Sequence, residues 1–207
     1  MLKVKSFINE LMLSNCYIVW DDVALRCIVI DPASEKSTRE IGFIDAHKAQ
    51  VDYIIMTHEH TDHTWGVNSL LQKYSTAKVI CSQACKDNLS SAGDMYFQLY
   101  YERMNYHYEV ARVDLTVEEL GDKLEWLEYI IRFIDTPGHS MGSICIDIDG
   151  ILFTGDTIMQ TKPYINKRNG SKELYNKSVQ MVLTMFDDDC LIHPGHGKVF
   201  YLKELIQ

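Results

Sequence analysis

Val51-Asp52-Tyr53-Ile54-Ile55-Met56-Thr57-His58-Glu59-His60-Thr61-Asp62-His63 is the stretch on which the reading of this chain turns. Its first half is an apolar run that predicts a short buried strand ending at Thr57. Its second half places His58, His60, Asp62 and His63 directly at that strand's C-terminal edge. His58 and His60 are two residues apart, so in an extended or tightly turning segment both imidazoles point to one side, as two ligands of one cation must. Asp62 and His63 can then turn toward a second cation. A solvated polar loop accounts for one or two such residues but poorly for four.

Upstream of this stretch, residues 2–8, 16–20 and 25–30 read as three strands in an antiparallel opening, the last stopped by Pro32, which cannot continue a ladder. Residues 35–48 have weak helical character with Ile41 and Ile44 inward, which implies a β-α-β crossover into the strand at 51–56. Downstream, Val67, Leu70, Leu71 and Tyr74 mark an amphipathic helix whose N-terminus faces the histidines. A strand is expected at 78–81 and a helix within 82–110, where Tyr96, Phe97, Tyr100, Tyr101, Tyr106 and Tyr108 cluster. Residues 93–110 fit a lid over a pocket, a dimer surface or core packing.

The second half repeats the scheme. Strands are expected at 123–126, 129–135, 143–148 and 151–154, with Asp149-Gly150 as a two-residue hairpin turn. A helical stripe runs from Tyr175 through Ser178, Val179, Val182 and Leu183 to Phe186, followed by a strand at 190–192. No linker or low-complexity tract interrupts residues 1–207, so one domain is expected, compatible with a pseudo-duplicated sandwich.

Bulk properties narrow the function. At 207 residues and 46% hydrophobic composition the chain can bury a substantial core, while a net charge of −9 repels phosphate backbones and makes nucleic acid a poor partner. The N-terminus lacks the apolar core of a signal peptide, and no stretch has the length of a membrane span, so a cytoplasmic protein with no membrane association is expected. The six cysteines are scattered, mostly in apolar runs, and read as reduced core residues. Cys81 and Cys85 have a metal-like spacing but no second pair to complete a site.

Three later loops each present a ligand beside a glycine at a strand end: His139 in TPGHS, Asp156 in TGDT and His196 in PGHG. Together with the first cluster they make five histidines and two aspartates. Seven nitrogen and oxygen ligands suit two adjacent cations with one aspartate bridging and with open positions for water and substrate. Lys162, Tyr164, Lys167 and Arg168 follow the Asp156 loop and could hold an anionic substrate group, or else form a solvated loop. His193, three residues before His196, is a candidate for orienting a ligand by hydrogen bond, or equally a satisfied histidine at a strand end. His47 and His107 read as surface residues.

These motifs closely resemble the metallo-β-lactamase superfamily, whose H-x-H-x-D-H signature is met by His58, His60, Asp62 and His63, with His139, Asp156 and His196 following in the family's order. SNCYIV at 14–19 and VIDP at 29–32 resemble its opening strands. The resemblance implies a mixed α/β four-layer αββα sandwich. It also implies one metal on His58, His60 and His139, a second on Asp62, His63 and His196, and Asp156 shared. The chain is most similar to the glyoxalase II-like hydrolases without their C-terminal helical domain. The expected activity is hydrolysis of a small thioester, ester or lactone by a metal-bridging hydroxide, with Asp62 orienting the nucleophile and Asp156 bridging. Two divalent ions are implied, zinc first, with iron or manganese as alternatives. A mononuclear-iron persulfide dioxygenase and a non-catalytic metal-binding module are the competing readings. Substrate and oligomeric state stay open at this level.

Overall fold

The structure, a computed structural model, describes residues 1–9, 12–32, 34–89 and 108–205. Its opening strands β1 (Leu2–Ile8), β2 (Asn15–Asp21) and β3 (Arg26–Ile30) pair antiparallel, and α1 (Thr38–Ala46) then crosses over to β4 (Gln50–Ile55), parallel to β3. After the short α2 (Thr61–Thr64) and α3 (Val67–Lys73), β5 (Lys78–Cys81) and the two-residue β6 (Leu115–Thr116) extend the sheet in parallel. The capping box of Thr116 and Glu119 then starts α4 (Val117–Leu120).

Strands β7 (Lys123–Trp126), β8 (Tyr129–Asp135), β9 (Ile144–Ile148) and β10 (Ile151–Gly155) form an antiparallel meander. The β9–β10 turn is closed by Asp149 and Gly150 at φ 52 and 86, the left-handed pair that a two-residue hairpin needs. Helix α5 (Lys172–Met185), capped by Ser171, returns the chain to β11 (Leu191–Pro194), which lies parallel to β10, and β12 (Phe200–Tyr201) closes the edge. Two six-stranded sheets result, in the orders β1-β2-β3-β4-β5-β6 and β12-β11-β10-β9-β8-β7.

Alternation along the central strands builds the layers. Tyr17, Val19, Ile28, Ile30 and Ile55 face Ile131, Phe133, Ile144, Ile146 and Phe153 of the second sheet. Their neighbours Cys16, Ile18, Cys27, Val29 and Ile54 face outward to Ile44 of α1, Leu70 of α3 and Cys85 and Leu89 of helical residues 83–89. On the far side, Cys145, Leu152 and Ile192 pack with Val182 of α5. Strands covered on both faces read as unbroken apolar runs, which is why they were legible. The four-layer αββα sandwich is therefore the architecture found.

The tyrosine-rich segment lies outside the described residues except at its end, where Tyr108 and Val110 join the first sheet's outer core and the Tyr108 hydroxyl donates to the Thr64 carbonyl. All six cysteines are free, five of them buried. Among the described residues no helix is long and apolar enough to cross a membrane.

Candidate metal centre

Four loops at one edge of the sandwich converge. Where β4 ends, the Thr57 carbonyl accepts from Ile144 N at 2.9 Å and so ties the first ligand loop to the second sheet. His60 stands in extended conformation as the residue before α2, and that single helical turn carries Asp62 and His63 inward, 7% and 0% exposed. Gly155 adopts φ 47 at the end of β10 to deliver Asp156, and Gly195 has no room for a side chain, because a Cβ there would lie 2.2 Å from Asp156 Oδ1.

The ligand atoms form two groups. His58 Nε2 lies 3.0 Å from His60 Nδ1, which lies 2.9 Å from His139 Nε2. His63 Nε2 lies 3.3 Å from His196 Nε2, and Asp62 Oδ2 lies 3.3 Å from His196 Nε2. Asp156 stands between them, with Oδ2 3.3 Å from His139 Nε2 and Oδ1 3.5 Å from His63 Nε2. A tetrahedral cation with nitrogen ligands at about 2.0–2.1 Å sets those ligands about 3.3 Å apart, so the spacing has the size of two first coordination spheres. His58, His60 and His139 form one candidate metal-holding group, Asp62, His63 and His196 another, and His58, His63 and Asp156 join them. Asp156 Oδ1 is buried without a hydrogen-bond partner. A buried carboxylate oxygen left so is costly unless a cation meets it, and the donor set fits a divalent ion.

Hydrogen bonds orient the rings. Asp31 Oδ1 accepts from Thr57 N and its Oδ2 from Thr57 Oγ1, both at 2.7 Å. With its proton given to Asp31, Thr57 Oγ1 is left to accept from His58 Nδ1 at 3.0 Å, which turns the His58 Nε2 lone pair into the site. Asp31 Oδ2 also accepts from His63 Nδ1 at 3.0 Å and frees His63 Nε2 in the same way. Burial and the surrounding histidines hold His58 well below its ordinary pKa, while burial lowers His60 to about 4 and His139 to about 3. These three are neutral and carry lone pairs. Burial opposes charge on His63, but Asp62, Asp156 and Asp31 outweigh it and lift His63 to about 10. Burial likewise works against ionising Asp62, and His63 and His196 overcome it, holding Asp62 below the usual carboxylate range.

Glu59, between two of the histidines, turns away from them. Its Oε2 accepts from Ser140 Oγ at 2.8 Å, bracing the first ligand loop against the His139 loop, and burial raises its pKa. Lys162, Tyr164, Lys167 and Arg168 are exposed, Tyr164 by 83%. Their loop does adjoin the centre, since Asn169 O accepts from Met141 N and Gly170 packs on the His139 carbonyl.

His193 sits elsewhere than beside His196. Strand alternation turns its ring toward Tyr17 and Phe153, at centroid distances of 5.4 and 4.9 Å, and its buried Nδ1 has no hydrogen-bond partner. The ligand-orienting hydrogen bond comes from Asp31 instead. Asp31 closes the apolar strand just before Pro32, and an acidic residue in that place is the sequence signal for such a partner. His47 is exposed and stacks on Phe43 at 4.0 Å between ring centroids, as a surface histidine does, while His107 lies outside the described residues.

Comparison with known proteins agrees with this geometry. Residues 10–196 match the profile of the metallo-beta-lactamase superfamily. A probable polyketide biosynthesis zinc-dependent hydrolase, BaeB, of Bacillus velezensis is 28% identical over 198 residues, covering 94% of this chain and 77% of that one. A hydroxyacylglutathione hydrolase of Vibrio campbellii is 29% identical over 133 residues, covering 64% of this chain and 42% of that one. The crystal structure of the BLEG-1 B3 metallo-beta-lactamase superposes with a TM-score of 0.82 at 20% identity, over 98% of this chain and 95% of that one.

Proposed function

The chain belongs to the metallo-beta-lactamase superfamily, and from that premise we propose that it is a zinc-dependent hydrolase of the two-metal type acting on a small thioester, ester or lactone. The observation that carries this reading is the completeness of both donor groups, His58, His60 and His139 on one side and Asp62, His63 and His196 on the other, with Asp156 between them. Relatives named as zinc-dependent and hydroxyacylglutathione hydrolases support the choice of metal and of the thioester class. A mononuclear-iron dioxygenase is the competing reading, and metal content together with oxygen consumption separates the two.

When bound, two divalent cations bring the pKa of a shared water toward about 7 and polarise a carbonyl oxygen. The chain's own residues do the rest. Asp62, kept ionised beside His63 and His196, offers a carboxylate oxygen that accepts a hydrogen bond from the attacking water and aims it at the acyl carbon. The Asp31–Thr57 pair keeps His58 and His63 from rotating or changing tautomer during turnover. Loop 161–170, against the His139 carbonyl, forms the rim where Lys162, Tyr164, Lys167 and Arg168 meet an anionic substituent of the substrate.

The test is a panel of acyl thioesters, esters and lactones given to protein stripped with chelator and to protein with zinc restored. Hydrolysis of at least one class that appears only on restoring metal supports the proposal. Equal, background rates in both samples across the panel remove it.

A further inference from the structure

The two groups of ligands are not held in the same way. The first is braced by the Glu59–Ser140 contact, whereas the second includes His196, whose side chain is 24% exposed against 9% for Asp62 and Asp156. What holds it is a short segment from the start of β2, far away in sequence. Ser14 Oγ donates to the Asp62 carbonyl at 2.7 Å, and Ser14 makes an isolated antiparallel bridge with His196. Asn15 N donates to the Gly195 carbonyl at 2.7 Å, and Asn15 Nδ2 donates to the carbonyls of Pro194 and Gly197, both at 2.9 Å. The Tyr17 hydroxyl adds a bond to the Pro194 carbonyl at 2.7 Å. Ser14 and Asn15 are buried, 0% and 3% exposed, so water cannot replace these bonds at low cost.

One dipeptide thus spans the Asp62 loop and the His196 loop, which come from opposite sheets and are 134 residues apart. Capturing three successive-loop carbonyls around His196 fixes the path of a segment whose glycines, Gly195 and Gly197, impose little of their own. Among the described residues this segment makes no hydrogen bond to the first group, whose bracing runs through Ser140, Ser143 and Glu59. We propose that Ser14 and Asn15 are positioning residues that set the occupancy of the second cation independently of the first. This inference rests on the two-metal reading above, and its test separates the two.

Wild type, Asn15→Ala, Ser14→Ala and Ser14→Thr are loaded with zinc and dialysed against graded chelator. Metal per chain is then measured by mass spectrometry and fold by circular dichroism. Wild type should retain two ions. Asn15→Ala and Ser14→Ala should lose one of them with an affinity about 10–100-fold weaker while the other ion keeps its wild-type affinity. Ser14→Thr, which keeps the hydroxyl, should restore two. Because Ser14→Ala deletes a single side-chain bond, it remains informative even where Asn15→Ala fails to fold. Variants that hold two ions at wild-type affinity, or that lose both ions together, overturn the clamp while the two-metal reading stands. A wild type holding fewer than two ions overturns both.

Discussion

Replacing Asp31 with asparagine changes almost no volume yet should weaken metal binding by about 10–100-fold. Asp31 accepts three hydrogen bonds on two oxygens: Thr57 N at 2.7 Å on Oδ1, and Thr57 Oγ1 at 2.7 Å with His63 Nδ1 at 3.0 Å on Oδ2. Asparagine can keep the first, but it presents an NH2 group to the other two. Against that donor, His63 in its neutral, metal-binding form must carry its proton not on Nδ1 but on Nε2, the atom that faces His196 at 3.3 Å and Asp156 at 3.5 Å. The lone pair needed for a cation is then occupied. Thr57 must reverse its hydroxyl as well, which undoes the tautomer of His58. Loss of such an orienting partner typically costs 10–100-fold in metal affinity, equivalent to about 1.4–2.7 kcal/mol. Competition titration against a chelator of known affinity reads this directly, with Asp31→Glu as a control that keeps the charge. Asp31→Asn binding zinc as tightly as wild type would refute the reasoning.

The same geometry has further consequences. Gly195→Ala introduces a Cβ 2.2 Å from Asp156 Oδ1, 2.8 Å from the Gly155 carbonyl carbon and 2.9 Å from His63 Cε1, so metal content should collapse and the unfolding midpoint of chelated protein should fall as well; retention of full metal content would count against the placement of Asp156. At the opposite end of the sandwich, the Ala24 backbone N–H, the Tyr129 hydroxyl and the terminal ammonium of Met1 hold Asp21 below the usual carboxylate range. A folded-state pKa below the unfolded one stabilises above about pH 4 and is lost as pH falls through that range. Asp21→Asn should therefore cost about 1–3 kcal/mol near neutrality, with the gap from wild type narrowing toward pH 3 in urea unfolding of chelated protein. A gap that widens on acidification contradicts the assignment.

Much of the scaffold was legible because its central strands are buried on both faces, so that Cys16–Val19 and Cys27–Ile30 appear as unbroken apolar runs and Ile144–Ile148 is interrupted only by Asp147. The residues that converge at the candidate centre were legible too, since His58, His60, Asp62, His63, His139, Asp156 and His196 all sit where strands end beside turns. What the pattern could not carry was pairing across the fold. The two-residue strands β6 and β12 have no period to detect, and α2 is a single turn whose helical form depends on the cluster around it. Asp31 acts on Thr57, 26 residues later, through a parallel pairing of β3 and β4 that only the sheet reveals. His193 had two readings, and its ring packing favours the strand-end one. Three residues of sequence separation suggested proximity to His196, but the pleat of β11 sends its ring between the sheets, while the turn beyond Pro194 sends His196 to the edge.

The central claim is that two cations occupy two distinct groups of ligands joined by Asp156. It is tested most directly by crystals of the zinc-loaded protein measured at the zinc absorption edge. Two anomalous peaks are predicted, one among His58, His60 and His139 and the other among Asp62, His63 and His196, each also within reach of Asp156. A single peak, or density away from these residues, would contradict it.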